Sequence, residues 1–106
     1  MRATFFSAFL GLLAAPAFAA GDPDAIKGLL ADHCSVCHAI PGYSASPPAA
    51  GLAAPAFDAI ANDSAVYTEE RLRVFLQKPH WPMTGMILSP SDIDNFNAYL
   101  TTLRRR

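Results

Sequence analysis

Proline decides where this chain can be regular. The ring fixes φ and removes a backbone N–H, so a helix tolerates proline at its first position but not inside. Pro41, Pro47, Pro48 and Pro55 crowd one stretch, interleaved with Gly42, Gly51, Ala and Ser. No helix or strand survives that density, so residues 40–56 read as a long loop. A loop of that length in a small domain is usually functional or wrapped over something. Pro79 and Pro82 make a second irregular segment.

Between these breaks lie short helical stretches, each with its own start signal. Asp22 followed by Pro23 opens the first, and Ile26, Leu29, Leu30 and His33 recur at helical spacing, which predicts a helix from Pro23 to His33. Phe57 to Ala61 reads as a short helix. Thr68 caps the next, Glu69 and Glu70 suit its positive end, and Tyr67 is placed to staple onto Leu72. Val74, Phe75 and Leu76 continue it, and Pro79 stops it. Ser89 caps the last, with Pro90 at the first helical position and Asp92 completing a capping box. Ile93, Phe96, Leu100 and Leu103 then form an apolar stripe with Tyr99 beside it, and Arg104 to Arg106 end the chain where cations suit the helix dipole. There is no sustained strand alternation and no internal repeat. The expected class is all-α, with three to four short helices.

The first residues belong to a different category. Met1-Arg2 is a short positive start, Thr4 to Ala15 is almost wholly apolar, and Ala17-Phe18-Ala19 has small residues at its first and third positions. That order predicts a signal peptide over residues 1–19, cut between Ala19 and Ala20, and hence export to the periplasm. The apolar run is shorter than the ~20 residues that span a bilayer, so no membrane span is expected after cleavage. No Cys stands at the cut site to take a lipid anchor. The remaining segment, residues 20–106, is one domain. It carries seven Lys or Arg against nine Asp or Glu, since Arg2 is the only charge in the leader. That balance offers no basic face for nucleic acid. A domain this small gains from a staple such as a disulfide, a metal or a large cofactor.

Cys34-Ser35-Val36-Cys37-His38 supplies the staple. Cys-x-x-Cys-His reads as a covalent haem c attachment site. Two thiols at this spacing reach the two vinyl groups on one porphyrin edge, and the adjacent His falls under the iron. A redox-active disulfide would need a strand-helix-strand context that this chain lacks. A zinc site would need four ligands, with only His33 and His80 left to help.

An iron held by His38 needs a sixth ligand. Thioether sulfur favours ferrous iron and suits electron transfer. Met83 and Met86 are the candidates, both in the Pro-rich segment before the last helix, and His33 and His80 are rivals.

Taken in order, Cys34 to Ile40, Ser46-Pro47, Ala54-Pro55-Ala56-Phe57, Pro79-His80-Trp81-Pro82-Met83, Leu88-Ser89 and Ala98-Tyr99-Leu100 resemble the bacterial class I monohaem cytochromes c. The resemblance covers nearly the whole of residues 20–106 and implies the class I cytochrome c fold, with the helices wrapped around one haem. It implies Met83 as the sixth ligand, because the family places that Met five residues before the Leu of the Leu-Ser pair, here Leu88-Ser89. The family usually follows its ligand with Pro, whereas Thr84 and Gly85 follow here, which keeps Met86 as second choice. Pro55 matches the proline whose carbonyl accepts a hydrogen bond from the haem-binding His. Tyr99, supported by Phe96, fits the aromatic slot where first and last helices cross. The small residue expected eight before the first Cys is instead Ile26, with Gly28 two places later. Trp81 and Tyr43 are candidates to pack on the haem or bond its propionates. Leu29, Leu30, Phe57, Leu72, Phe75, Ile93, Phe96, Tyr99 and Leu100 are the expected apolar shell.

The implied function is one-electron shuttling by a chain that is not itself an enzyme. Redox partner proteins would dock briefly on a small patch at the thioether edge. Two rivals stand beside it. One is a haem enzyme or gas sensor with a labile sixth ligand. The other is a haem subunit of a larger oxidoreductase.

Overall fold

The computed structural model describes residues 21–43, 54–79, 81 and 83–105, together with Gly11. The cleavage site, His80, Pro82, Ser46-Pro47 and most of the first Pro-rich loop lie outside the described residues, as does the leader apart from Gly11. Four helical segments are present, and there is no strand among the described residues.

The first helix departs from expectation at both ends. Residues 23–26 form turns closed by Ala25 N–H to the Asp22 carbonyl (3.2 Å) and Lys27 N–H to that of Asp24 (3.3 Å). The Asp22 carboxylate accepts from Asp24 N–H at 2.9 Å, as a capping Asp should. α1 then covers Lys27–Leu29 and runs into a π-helical turn at Leu30–Cys34. The mark of that turn is Ser35 N–H bonding the Leu30 carbonyl, five residues back, at 2.9 Å. Ser35 Oγ also donates to the Ala31 carbonyl at 2.6 Å, and such back-bonding deforms a helix. Apolar periodicity carries no sign of this extra residue in the turn. It matters because it delivers Cys34 to the site, and π turns concentrate at functional positions.

α2 is Phe57–Asn62, one residue longer than expected. α3 is Glu69–Gln77; the Thr68 hydroxyl accepts from Arg71 N–H at 3.1 Å, and the helix stops two residues before Pro79. α4 is Pro90–Leu103. Ser89 Oγ accepts from Asp92 N–H at 3.1 Å and donates to the Asp92 carboxylate at 2.9 Å. The carboxylate thus bonds the cap's hydroxyl, since Asp lacks the methylene by which Glu reaches back to the cap backbone.

α4 is the scaffold. Ile93 and Leu100 are fully buried on it, and Phe96 and Tyr99 nearly so. The end of α4 is clasped to α2 by Asn62, whose Nδ2 donates to the Leu103 carbonyl at 3.1 Å and whose Oδ1 accepts from Arg105 N–H at 2.7 Å. Arg105 also pairs with Asp58 at 3.2 Å, so this arginine works through α2 rather than through the dipole of α4. Arg73 of α3 pairs with Asp94 of α4.

The helix crossing lies elsewhere than the sequence implied. Ile26 is buried in the core, and Gly28 is exposed with nothing near its Cβ direction. No Cα of Lys27–Cys34 comes within 8 Å of α4. The close approach is made by Gly21, whose missing Cβ would run into the backbone of Asp94 and lie 2.7 Å from Asn95 N. Next to it, Asp22 N–H donates to Asn95 Oδ1 at 2.8 Å.

Candidate functional site

A cavity of about 380 Å³ opens between α1, α2, α3 and the segment before α4. That size is within the range of small-molecule and cofactor sites. Leu29, Leu30, Phe57, Leu72, Phe75 and Phe96 line it, as expected of the apolar shell. Ile93, Tyr99 and Leu100 do not. They lie on other parts of the α4 surface, where they are buried against neighbouring helices, while Phe96 is the α4 residue turned to the cavity.

Cys34, Cys37 and His38 share one wall. The motif closes as a turn, with Cys37 and His38 N–H both bonded to the Cys34 carbonyl at 3.2 and 2.9 Å. Both thiols are unbridged and half-buried, and Val36 between them is 55% exposed. Burial pushes the Cys34 thiol up to about 11. Redox-active thiols sit where positive charge lowers their pKa, so this setting opposes a dithiol oxidoreductase. Among the described residues, which leave out His80, no three His, Cys, Asp or Glu side chains stand close enough to hold a metal ion.

His38 is buried and fixed in orientation. Its Nδ1 lies 2.7 Å from the Pro55 carbonyl oxygen. A carbonyl only accepts, so Nδ1 carries the hydrogen and Nε2 is the atom left to bind a metal. Next to this contact Phe57 N–H bonds the Ala39 carbonyl at 2.9 Å, so the chain after the motif is pinned twice to the start of α2. The Phe57 ring stands 5.0 Å from the imidazole and 5.5 Å from the Phe96 ring, edge-on to the latter. A T-shaped aromatic pair of this kind links the His38 wall to α4.

Met83 and Met86 both line the cavity, each half-buried, in a turn closed by Met86 N–H to the Met83 carbonyl at 2.9 Å. Leu88 N–H then bonds the Leu76 carbonyl at 3.1 Å, tying the Met segment to α3. His33 lines the mouth and is exposed. Tyr43 and Trp81 are outside the lining. The Tyr43 hydroxyl turns to the Lys27 carbonyl at 3.5 Å, and Trp81 is 75% exposed. Tyr67 and Arg71 line the cavity too, a role that sequence pattern alone did not assign to them.

The family model described as cytochrome c matches residues 24–104. The chain belongs to the cytochrome c family. No curated protein and no solved structure gives a significant match to it. In cytochrome c the cofactor is haem c, joined covalently through thioethers, and Cys34-Ser35-Val36-Cys37-His38 is the attachment sequence. The cavity fits that group. Its wall is nearly all apolar, its two thiols lie on one side, and a buried imidazole points an unprotonated nitrogen away from Pro55. The fold is the all-α cytochrome c fold.

Proposed function

We propose that this cytochrome c is a periplasmic one-electron carrier whose haem iron is held by His38 and Met83. The observation that carries the proposal is the His38 Nδ1 contact of 2.7 Å with the Pro55 carbonyl, in a wall of the same apolar cavity that Met83 and the two cysteines line. Haem iron supplies the chemistry when bound, alternating between ferrous and ferric. The Pro55 carbonyl fixes the imidazole plane and raises the basicity of Nε2. Met83 offers a neutral thioether, which favours the ferrous state and raises the potential. Hydrogen bonds of the Met83–Met86 turn and of Leu88 to Leu76 hold that ligand in place, so neither oxidation state requires a rearrangement of the chain.

The apolar lining among the described residues offers few polar groups to act on a substrate, which favours a carrier over an enzyme. The exposed Val36, between the two thioether positions, gives partner proteins an apolar point of contact at the haem edge. The leader pattern of residues 1–19 supports export, with cleavage near Ala19-Ala20. Among the described residues no helix is long and apolar enough to cross a membrane. Met86 is the second choice of ligand, since it lines the same cavity three residues on.

Absorption spectra of the exported protein test the ligand pair. The parent is expected to be low-spin in both states and indifferent to carbon monoxide. Met83→Ala is expected to become high-spin when ferric and to bind carbon monoxide when ferrous, whereas Met86→Ala keeps the parent spectrum. An unchanged spectrum in Met83→Ala would contradict the assignment and move it to Met86. Carbon monoxide binding by the parent would instead favour a gas-binding protein.

A further inference from the structure

We propose that Arg71 is the counter-ion of a haem propionate in this chain. Among the described residues, Arg71 is the only one with a permanent charge in the cavity lining, and no Asp or Glu lines it. Two other described arginines answer to carboxylates: Arg73 pairs with Asp94, and Arg105 with Asp58. Arg71 has no carboxylate partner among the described residues. Its Nη1 donates to the Val66 and Ala65 carbonyls at 3.3 and 3.5 Å, which orients the guanidinium and leaves Nη2 and Nε with hydrogens to give.

The position suits the chemistry of the cofactor. The thiols of Cys34 and Cys37 take the vinyl edge of the porphyrin, and the propionates lie on the opposite edge. Arg71 lines the cavity from α3, whereas Cys34 ends the π turn after α1, and no Cα of Lys27–Cys34 lies within 8 Å of α3. A carboxylate at the rim of an apolar cavity is costly unless paired and hydrogen-bonded. A guanidinium meets that need with two parallel N–H donors. The pairing has a redox consequence. An uncompensated propionate charge stabilises ferric iron, and Arg71 cancels that charge, so the pair favours the ferrous state.

This inference rests on the haem site proposed above, and the experiment separates the two. The unaltered protein is first checked for covalent haem, and absence of haem overturns both. With haem present, midpoint potentials are measured for the parent, Arg71→Gln and Arg71→Lys at one pH and ionic strength. The expected result is a lower potential in Arg71→Gln and a potential near the parent's in Arg71→Lys. A role limited to tying down Ala65 and Val66 would change the unfolding midpoint and leave the potential where it was. Equal potentials in all three proteins overturn the inference. Should Arg71→Gln fail to keep its haem, nitrogen-15 spectra of the parent decide. The Arg71 Nε–H signal is expected to move between ferrous and ferric forms, and an unmoved signal overturns the inference.

Discussion

Two glycines predict substitutions of opposite sign. At Gly21 an added Cβ would run into the backbone of Asp94 in α4, with Asn95 N at 2.7 Å. Neither atom can yield, because both are part of the helical backbone. The incoming chain must move out instead, and with it goes the bond from Asp22 N–H to Asn95 Oδ1. Overpacking of this kind costs roughly 1–3 kcal/mol, and the hydrogen bond is part of that cost. At Gly28 nothing lies within 4 Å of the Cβ position, and the residue is exposed on α1. There Gly→Ala lowers the entropy of the unfolded chain and is expected to stabilise by about 0.5–1 kcal/mol. Urea unfolding of the haem-loaded protein, followed by far-ultraviolet circular dichroism, reads both. The midpoint should fall for Gly21→Ala and rise for Gly28→Ala, with the slope unchanged. A Gly21→Ala protein as stable as its parent would refute the close approach at Asp94. A Gly28→Ala protein that loses stability would place the crossing where the family pattern puts it.

Three further outcomes can be checked by the same unfolding assay. Phe57→Ala removes a side chain only 3% exposed that touches both the His38 and Phe96 rings, and should cost about 3–5 kcal/mol; a cost below 1 would mean that the ring is not a core element. Asn97 is buried with neither side-chain atom hydrogen-bonded among the described residues, so Asn97→Leu should stabilise by about 1 kcal/mol or more; destabilisation would show that the amide has a partner in solution. Asn62→Ala releases the bonds to Leu103 and Arg105 and should cost about 1–3 kcal/mol, with faster hydrogen exchange at Arg105; unchanged exchange there would rule out the clasp.

Much of this architecture is local, and local chemistry is legible in a sequence. Thr68 and Ser89 cap helices because a hydroxyl at that point has an N–H three residues on to satisfy. The prolines end or open elements wherever they stand. The attachment motif is legible for the same reason, since five consecutive residues carry its chemistry. What was not legible depends on distance along the chain. The Gly21 approach and the Asp22–Asn95 bond join residues more than seventy positions apart. The Asn62 clasp joins α2 to the end of α4. Nothing in the pattern around Asn62 or Gly21 separates them from ordinary loop and helix-end residues. The π turn at Leu30–Cys34 escaped for another reason. Its apolar spacing matches an α-helix until Ser35, whose N–H reaches five residues back. Tyr43 and Trp81 are aromatic residues in irregular segments, and side-chain direction there is set by the fold rather than by spacing. Arg71 shows the converse. A charge on an amphipathic helix reads as solvent-facing, and only the helix's placement brings it to the cavity rim.

Intact mass spectrometry of the exported protein, after acid denaturation and solvent extraction of free haem, tests the central claim most directly. The account predicts one species, whose mass is that of the chain from Ala20 plus a single haem. Replacing both Cys34 and Cys37 with Ala should abolish the added mass. A chain that emerges at its bare polypeptide mass, with the haem in the solvent, would contradict covalent attachment at these cysteines.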